Sequence, residues 1–181
     1  MNGRNFGVKM SELLLEPDAT KEQVFSKVAD YLGDVSLRAV TIDSERPWGG
    51  FFVIDVAQTQ DFINRYFPEL DAHDIEKGGK LSPKILVVEP GKRLSWQYHH
   101  RREELWKVIE GPVGVITSPD DTQGPIQPVE TGNTIQFGTL TRHRLTGLDN
   151  WGVVAEIWQH TDPTNPSDES DIVRVSDDFG R

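Results

Sequence analysis

The sequence contains no cysteine. That excludes disulfides, iron–sulfur clusters and thiolate metal sites, and it fits a reducing compartment. Long apolar runs are missing as well. The one apolar cluster near the N-terminus, Leu13 to Leu15, is too short for a signal-peptide core, and no segment approaches membrane-spanning length. A soluble cytoplasmic protein with no membrane partner is the resulting expectation. Positive charge is scarce: 19 Lys and Arg stand against 29 Asp and Glu, a formal net charge of −10. Nucleic acid is therefore a poor partner, because its phosphates need a basic surface. A small anion remains compatible, since a few local arginines outweigh a diffuse acidic field at short range.

The residues that are present describe an ordinary globular chain. Hydrophobic residues make up 36%, with five Trp and eight Phe, and 181 residues suit one well-cored domain. The expected organisation is a single domain over 1–181, with a helical extension over 1–35 and a β-barrel core over 36–181. Thr20 followed by Gln23 forms a capping box. Val24, Phe25, Val28, Ala29 and Leu32 then recur on one helical face, and Gly33 supplies a stop. A second short helix is predicted over Asp61 to Phe67. From about Leu37 onward the pattern changes to short apolar runs broken by turn pairs such as Pro90-Gly91, Gly111-Pro112 and Asp149-Asn150. Strands are predicted at Phe51–Val56, Lys84–Val88, Leu94–His99, Leu105–Ile109, Val113–Thr117, Thr134–Phe137 and Val153–Trp158, with a last one near Asp171 to Val175. So many short strands point to a mainly β sandwich or barrel, with a jelly roll among the options.

The chemistry concentrates between Gly91 and Gly111, in GKRLSWQYHHRREELWKVIEG. Gln97 and His99 are two apart on a predicted strand and share a face. Four residues separate His99 from Glu104, enough to turn a corner and begin the returning strand. Gln97, His99 and Glu104 thus converge from two adjacent strands. A second cluster, FGTLTRHRLTG, places His143 at the start of a strand after a turn at Gly138. Together these four offer an amide oxygen, two imidazoles and a carboxylate, a set suited to Zn, Mn, Fe, Co or Ni.

The spacing G-x5-Q-x-H-x4-E-x6-G resembles the first cupin motif, with Gln97 in place of the usual first His. The stretch from Gly138 to His143 is similar to a degraded second motif. The chain further resembles the type II mannose-6-phosphate isomerase domain. Gln97, His99, Arg102, Glu104 and Trp106 match its metal segment, Arg46-Pro47-Trp48-Gly49 its opening, and Asp171-Ile172-Val173-Arg174 its close. Leu105 and Arg101 depart from the family's pattern. The resemblance implies a cupin double-stranded β-helix, a jelly-roll barrel with one or two peripheral N-terminal helices. It also implies one divalent metal ion, zinc first among the candidates, held by Gln97, His99, Glu104 and His143.

Conversion of mannose 6-phosphate to fructose 6-phosphate is the implied reaction. Such an isomerase moves a hydrogen between C1 and C2 and needs carbonyl polarisation and a base. Arg102 is the candidate contact to the reacting oxygens. Lys107, His100 and Glu156 are the candidate bases, each placed by simple alternation on the face opposite the ligands. Of these, Lys107 is the residue expected to act in catalysis. For the phosphate, arginine's planar fork is suited, and Arg144 and Arg174 are the first candidates, with Arg46 and Arg181 behind them. Trp106, on Glu104's face, is the candidate pocket wall. A sugar phosphate is the expected partner, and a homodimer through paired sheets is the family's expectation. The nucleotidyltransferase domain of bifunctional relatives has no counterpart, so sugar-nucleotide synthesis is not expected. The alternatives are an isomerase of another phosphosugar or a free sugar, an Fe(II) dioxygenase, and a non-catalytic sugar-binding cupin.

Overall fold

A computed structural model describes residues 12–180. Along the chain lie α1 (Lys21–Asp34), β1 (Ala39–Asp43), β2 (Gly49–Ile54), α2 (Thr59–Tyr66), α3 (Ala72–Ile75), β3 (Leu81–Val88) and β4 (Trp96–His99). There follow β5 (Arg102–Glu110), β6 (Val113–Ser118), β7 (Gln127–Val129), β8 (Thr134–Phe137), β9 (Arg142–Gly147), β10 (Gly152–His160) and β11 (Ile172–Ser176). Single turns of 3-10 helix occur at Val56–Gln58 and Glu169–Asp171. The capping box at Thr20 is formed, its side chain accepting from the Gln23 amide at 3.2 Å while Gln23 accepts from the Thr20 amide at 2.9 Å. Gly33 does not stop α1, which runs to Asp34 and closes on Val35.

Two antiparallel sheets carry the fold, one ordered β1-β2-β3-β10-β5-β8 and the other β11-β4-β9-β6-β7. They form the jelly-roll barrel expected of a cupin. Trp48, Leu86, Val88, Trp106, Leu145 and Val154 pack together in its interior. The outer face of the six-stranded sheet is also covered. Phe52, Ile54, Ile85, Val153, Ala155 and Ile157 join Val24, Phe25, Val28 and Leu32 of α1 and Phe62 and Ile63 of α2 in a second cluster. An amphipathic helix laid on a sheet buries both apolar faces at once.

The consequence is a sheet whose central strands are dry on both sides. All nine residues of β10 are buried, so its sequence loses the in–out alternation of a half-solvated strand. Inside and outside are still distinct: Val154 belongs to the interior cluster, and Val153, Ala155 and Ile157 to the outer one. The pairing register fixes this phase, because Glu156 stands opposite both Lys84 and Trp106.

Two glycines let β2 fit between its neighbours. A Cβ at Gly50 would lie 2.0 Å from the Asp43 carbonyl oxygen and 2.6 Å from the Phe25 ring, and Gly49 has φ +140. Phe52 is fully buried and its ring stacks on Phe25 at 5.3 Å between centroids. Phe52→Ala is expected to cost about 3–5 kcal/mol of stability, measured by urea denaturation. Val56→Ser, at a side chain 61% exposed, should stay within about 0.5 kcal/mol.

Candidate metal centre and its cavity

His99, Glu104 and His143 reach one point from three strands. β4 carries Gln97 and His99 on its inner face, and β9 places His143 directly opposite Gln97. From the other sheet, β5 points Arg102, Glu104, Trp106 and Val108 inward, all of them buried. One ligand atom from each of His99, Glu104 and His143 lies within 4.8 Å of the others. Gln97 borders the same cavity, with its amide oxygen accepting from Ser95 Oγ at 2.6 Å.

The geometry of these groups calls for a cation. His143 Nδ1 donates to the Thr141 carbonyl at 2.9 Å, which leaves the Nε2 lone pair facing Glu104 Oε2 at 3.1 Å. His99 Nε2 accepts from Arg102 at 3.2 Å and faces Glu104 Oε1 at 3.1 Å. Two imidazole lone pairs are thus turned on one carboxylate, acceptor against acceptor. Glu104 Oε2 and His143 Nε2 are buried without a hydrogen-bond partner. Buried polar atoms in that state are costly unless something fills the gap, and nitrogen and oxygen donors at this separation fit a divalent ion.

The charge states agree. Burial lowers the pKa of His99 despite the pull of Glu104, which keeps the imidazole neutral and able to ligate. Burial alone would raise the Glu104 carboxyl, but positive charge on its His99 and His143 side, together with Arg102, holds it well below the ordinary range, and with neutral imidazoles that charge falls to a bound cation. Arg102 donates from Nε to Glu104 Oε1 at 2.8 Å and lays its guanidinium 3.5 Å from the centre of the Trp158 ring.

A cavity opens beside the cluster. Beyond Arg102 and Glu104, its wall includes two more charged residues of the six-stranded sheet, Lys84 and Glu156. Glu156 is buried and accepts from Trp106 Nε1 at 3.0 Å. Burial, reinforced by the charge of Glu104, pushes its carboxyl up to about 8, against the opposing pull of Lys84 and Arg102. Lys84 Nζ lies 3.4 Å from the centre of the Trp158 ring and 5.2 Å from that of Phe51, two favourable cation–π contacts.

Several sequence expectations change here. Glu156 faces the cavity, not the opposite side, because the register of β10 reverses the phase assumed by simple alternation. Lys107 is turned the other way and borders an outer groove with Leu13, Tyr31 and Tyr66, so it does not reach the cluster. Arg144 neighbours His143 on the strand and therefore points to the other face. It is buried there, donating to the Leu94 carbonyl at 2.6 Å and to Asp178 at 3.2 Å. Trp106 is 1% exposed, beneath the cluster beside His143 and Phe137, and braces the site without lining the cavity. Arg46 and Arg174 both border the cavity, while Arg181 lies outside the described residues. β4 and β5 are not paired neighbours but belong to different sheets, and exposed His100 is at the corner where the chain crosses between them, its amide held by Asp171. Lys84, Trp158 and Glu169 were not anticipated. The detectable signal was a single charge attached to an apolar run, at the head of KILVV for Lys84 and inside VVAEIW for Glu156.

Comparison with known proteins gives consistent matches. The family model described as mannose-6-phosphate isomerase C-terminal matches residues 57–177. The alginate biosynthesis protein AlgA of Pseudomonas aeruginosa is 36% identical over 66 residues, covering 36% of this chain and 14% of that protein. The mannose-1-phosphate guanylyltransferase of Escherichia coli is 29% identical over 107 residues, covering 59% of this chain and 21% of that protein. The chain therefore spans only a small part of the curated relatives it matches. A solved variant of Bacillus subtilis oxalate decarboxylase superposes with a TM-score of 0.51 at 15% identity, over 74% of this chain and 30% of that one, a likeness of fold.

The raised Glu156 carboxyl has a measurable consequence in metal-free protein. Between its unfolded value near 4.5 and its folded value of about 8, the folded chain holds a proton that the unfolded chain has lost. Stability from this group is complete below the lower value and is lost as pH rises through the upper one. With metal removed by chelator, melting temperature should fall between about pH 5 and pH 8 more steeply in the wild type than in Glu156→Gln. Parallel profiles would contradict the assigned environment.

Proposed function

The chain belongs to the mannose-6-phosphate isomerase C-terminal family, and on that premise we propose that it is a metal-dependent aldose–ketose isomerase converting mannose 6-phosphate to fructose 6-phosphate. The observation that carries the reading is the convergence of His99, Glu104 and His143 beside a buried, proton-holding Glu156. An isomerase needs an electrophile at the C1 and C2 oxygens and a base within reach of both C1 and C2. Both kinds of group border one cavity.

His99, Glu104 and His143 would hold the ion, with Gln97 beside them as the fourth ligand and zinc as the first choice. When bound, the ion polarises the carbonyl oxygen as a Lewis acid. The other steps belong to the chain's own residues. In its ionised form Glu156 takes the proton from C2 and returns it to C1, while the hydroxyl proton of O2 passes to O1. A carboxyl whose pKa is raised to about 8 is a stronger base than an ordinary carboxylate and still close enough to neutrality to return the proton. The Trp106 indole N–H fixes the carboxylate that does this. Arg102, anchored by Glu104 and by the face of Trp158, stabilises negative charge developing on the sugar oxygens. Arg46, Lys84 and Arg174 supply positive charge at the mouth for the phosphate. Arg174 is opposite Gln97 in the β11–β4 pairing, so its stem starts beside the metal ligands.

Metal-supplemented protein incubated with a panel of aldose phosphates should produce ketose phosphate, and no turnover across the panel would sink the assignment. Glu156→Gln should lower kcat by about 10²–10⁴-fold, the usual loss for a general base, with little change in KM. His143→Ala should fail to retain the single ion that the wild type binds, as measured by metal analysis after gel filtration.

A further inference from the structure

The cavity beside the metal ligands offers ≈ 60 Å³ of free space. Ligand pockets begin at about 300 Å³, so a hexose phosphate does not fit it as it stands. A second cavity of ≈ 320 Å³ lies alongside and shares Lys84, Trp158 and Glu169 with the first. These three residues form the partition between the two spaces. Lys84 and Trp158 belong to neighbouring strands deep in the six-stranded sheet. Glu169 alone comes from the segment between β10 and β11, and its side chain is 59% exposed.

Glu169 closes the partition through one ion pair, its Oε1 lying 3.4 Å from Lys84 Nζ. The lysine is otherwise well placed for an external anion, with Trp158 and Phe51 around its ammonium and Arg46 also 5.3 Å from the centre of the Phe51 ring. Arg174 borders the same space and makes no ion pair among the described residues. Lys84, Arg46 and Arg174 thus border one space; Arg46 is held by Asp43 at 2.8 Å, and the Lys84 ammonium is paired with the largely solvated Glu169 carboxylate.

The backbone that presents Glu169 is fixed independently. Asp171 accepts from the amides of His100 and Arg101 and from Ser167 Oγ at 3.2, 3.0 and 2.7 Å. Arg102 donates to Ser167 Oγ at 3.0 Å, and Asp168 caps the Ser170 amide at 2.9 Å. Opening consequently needs only a change of Glu169 rotamer, with the loop left in place.

We infer that Glu169 is an internal stand-in for the substrate's phosphate, a latch that a phosphoryl group displaces from Lys84 so that the two cavities merge into one pocket. The inference rests on the sugar-phosphate reading of this site and adds the device that favours phosphorylated over free sugars. A phosphoryl group carries up to two charges and three acceptor oxygens, so it can engage Lys84, Arg46 and Arg174 together. Glu169 offers one charge, screened by water. A neutral sugar gains nothing at Lys84 and cannot compete for it.

The test is calorimetric titration of inorganic phosphate into the full chain, with metal removed by chelator so that phosphate cannot ligate an ion. Glu169→Gln keeps the shape and removes the charge. It should bind phosphate about two- to fivefold more tightly than the wild type, the range set by one partly exposed ion pair. Glu169→Ala, at so exposed a position, should fold and show the same gain. Phosphate affinity that is equal or weaker in both variants, including no binding by any of the proteins, overturns the latch even if the enzyme isomerises mannose 6-phosphate. Tighter phosphate binding without aldose-phosphate turnover supports the latch and removes only the isomerase assignment.

Discussion

Everything at the centre of this barrel turns on one buried carboxylate. Glu104 is 1% exposed, and an ionised carboxylate so far from water is unfavourable unless opposite charge and hydrogen bonds surround it. Arg102 provides the permanent charge on one side. On the other, His99 and His143 present lone pairs, not protons, so half of the compensation is left to a cation. A group arranged this way is unfavourable as pure architecture and suited to holding a metal, which is why the cluster reads as a site and not as a structural ion pair.

The same burial reaches outward. Glu104, Glu156 and Lys84 can be kept dry only because the six-stranded sheet is covered on its far side by α1 and α2. The helical segment contributes no residue to the cavity, yet it seals the sheet that holds the charged groups in place. Low effective dielectric then raises the Glu156 carboxyl and strengthens the cation–π contacts of Lys84 and Arg102 with Trp158. A chain with a net charge of −10 gathers Arg46, Lys84, Arg102 and Arg174 around one space, so local placement, not overall charge, decides what can bind there.

Much of this was legible in the sequence wherever a rule acts over a few residues. The capping box of α1 lies within four residues, and the match of Gln97 and His99 to one face follows from a period of two. The corner between His99 and Glu104 brought β4 and β5 together for the same reason. Even the outward turn of Arg144 was implicit, since it adjoins His143 on a strand. Local rules carried the mainly β architecture and the candidate ligands because turn chemistry and strand alternation are properties of short segments.

The remainder needed the tertiary structure. With both faces of β10 buried, an apolar–polar pattern is absent, and nothing within VVAEIW says which side Glu156 takes. Pairing with Lys84 on β3 and Trp106 on β5 settles it. The latch is longer-range still, since Lys84 and Glu169 are separated by 85 positions in the chain and meet only when β11 docks on β4. Sequence by itself determined which residues could ligate, cap and turn. Which of them face one another across a dry interior was decided by strand register and sheet closure, because those depend on partners that no local stretch of chain contains.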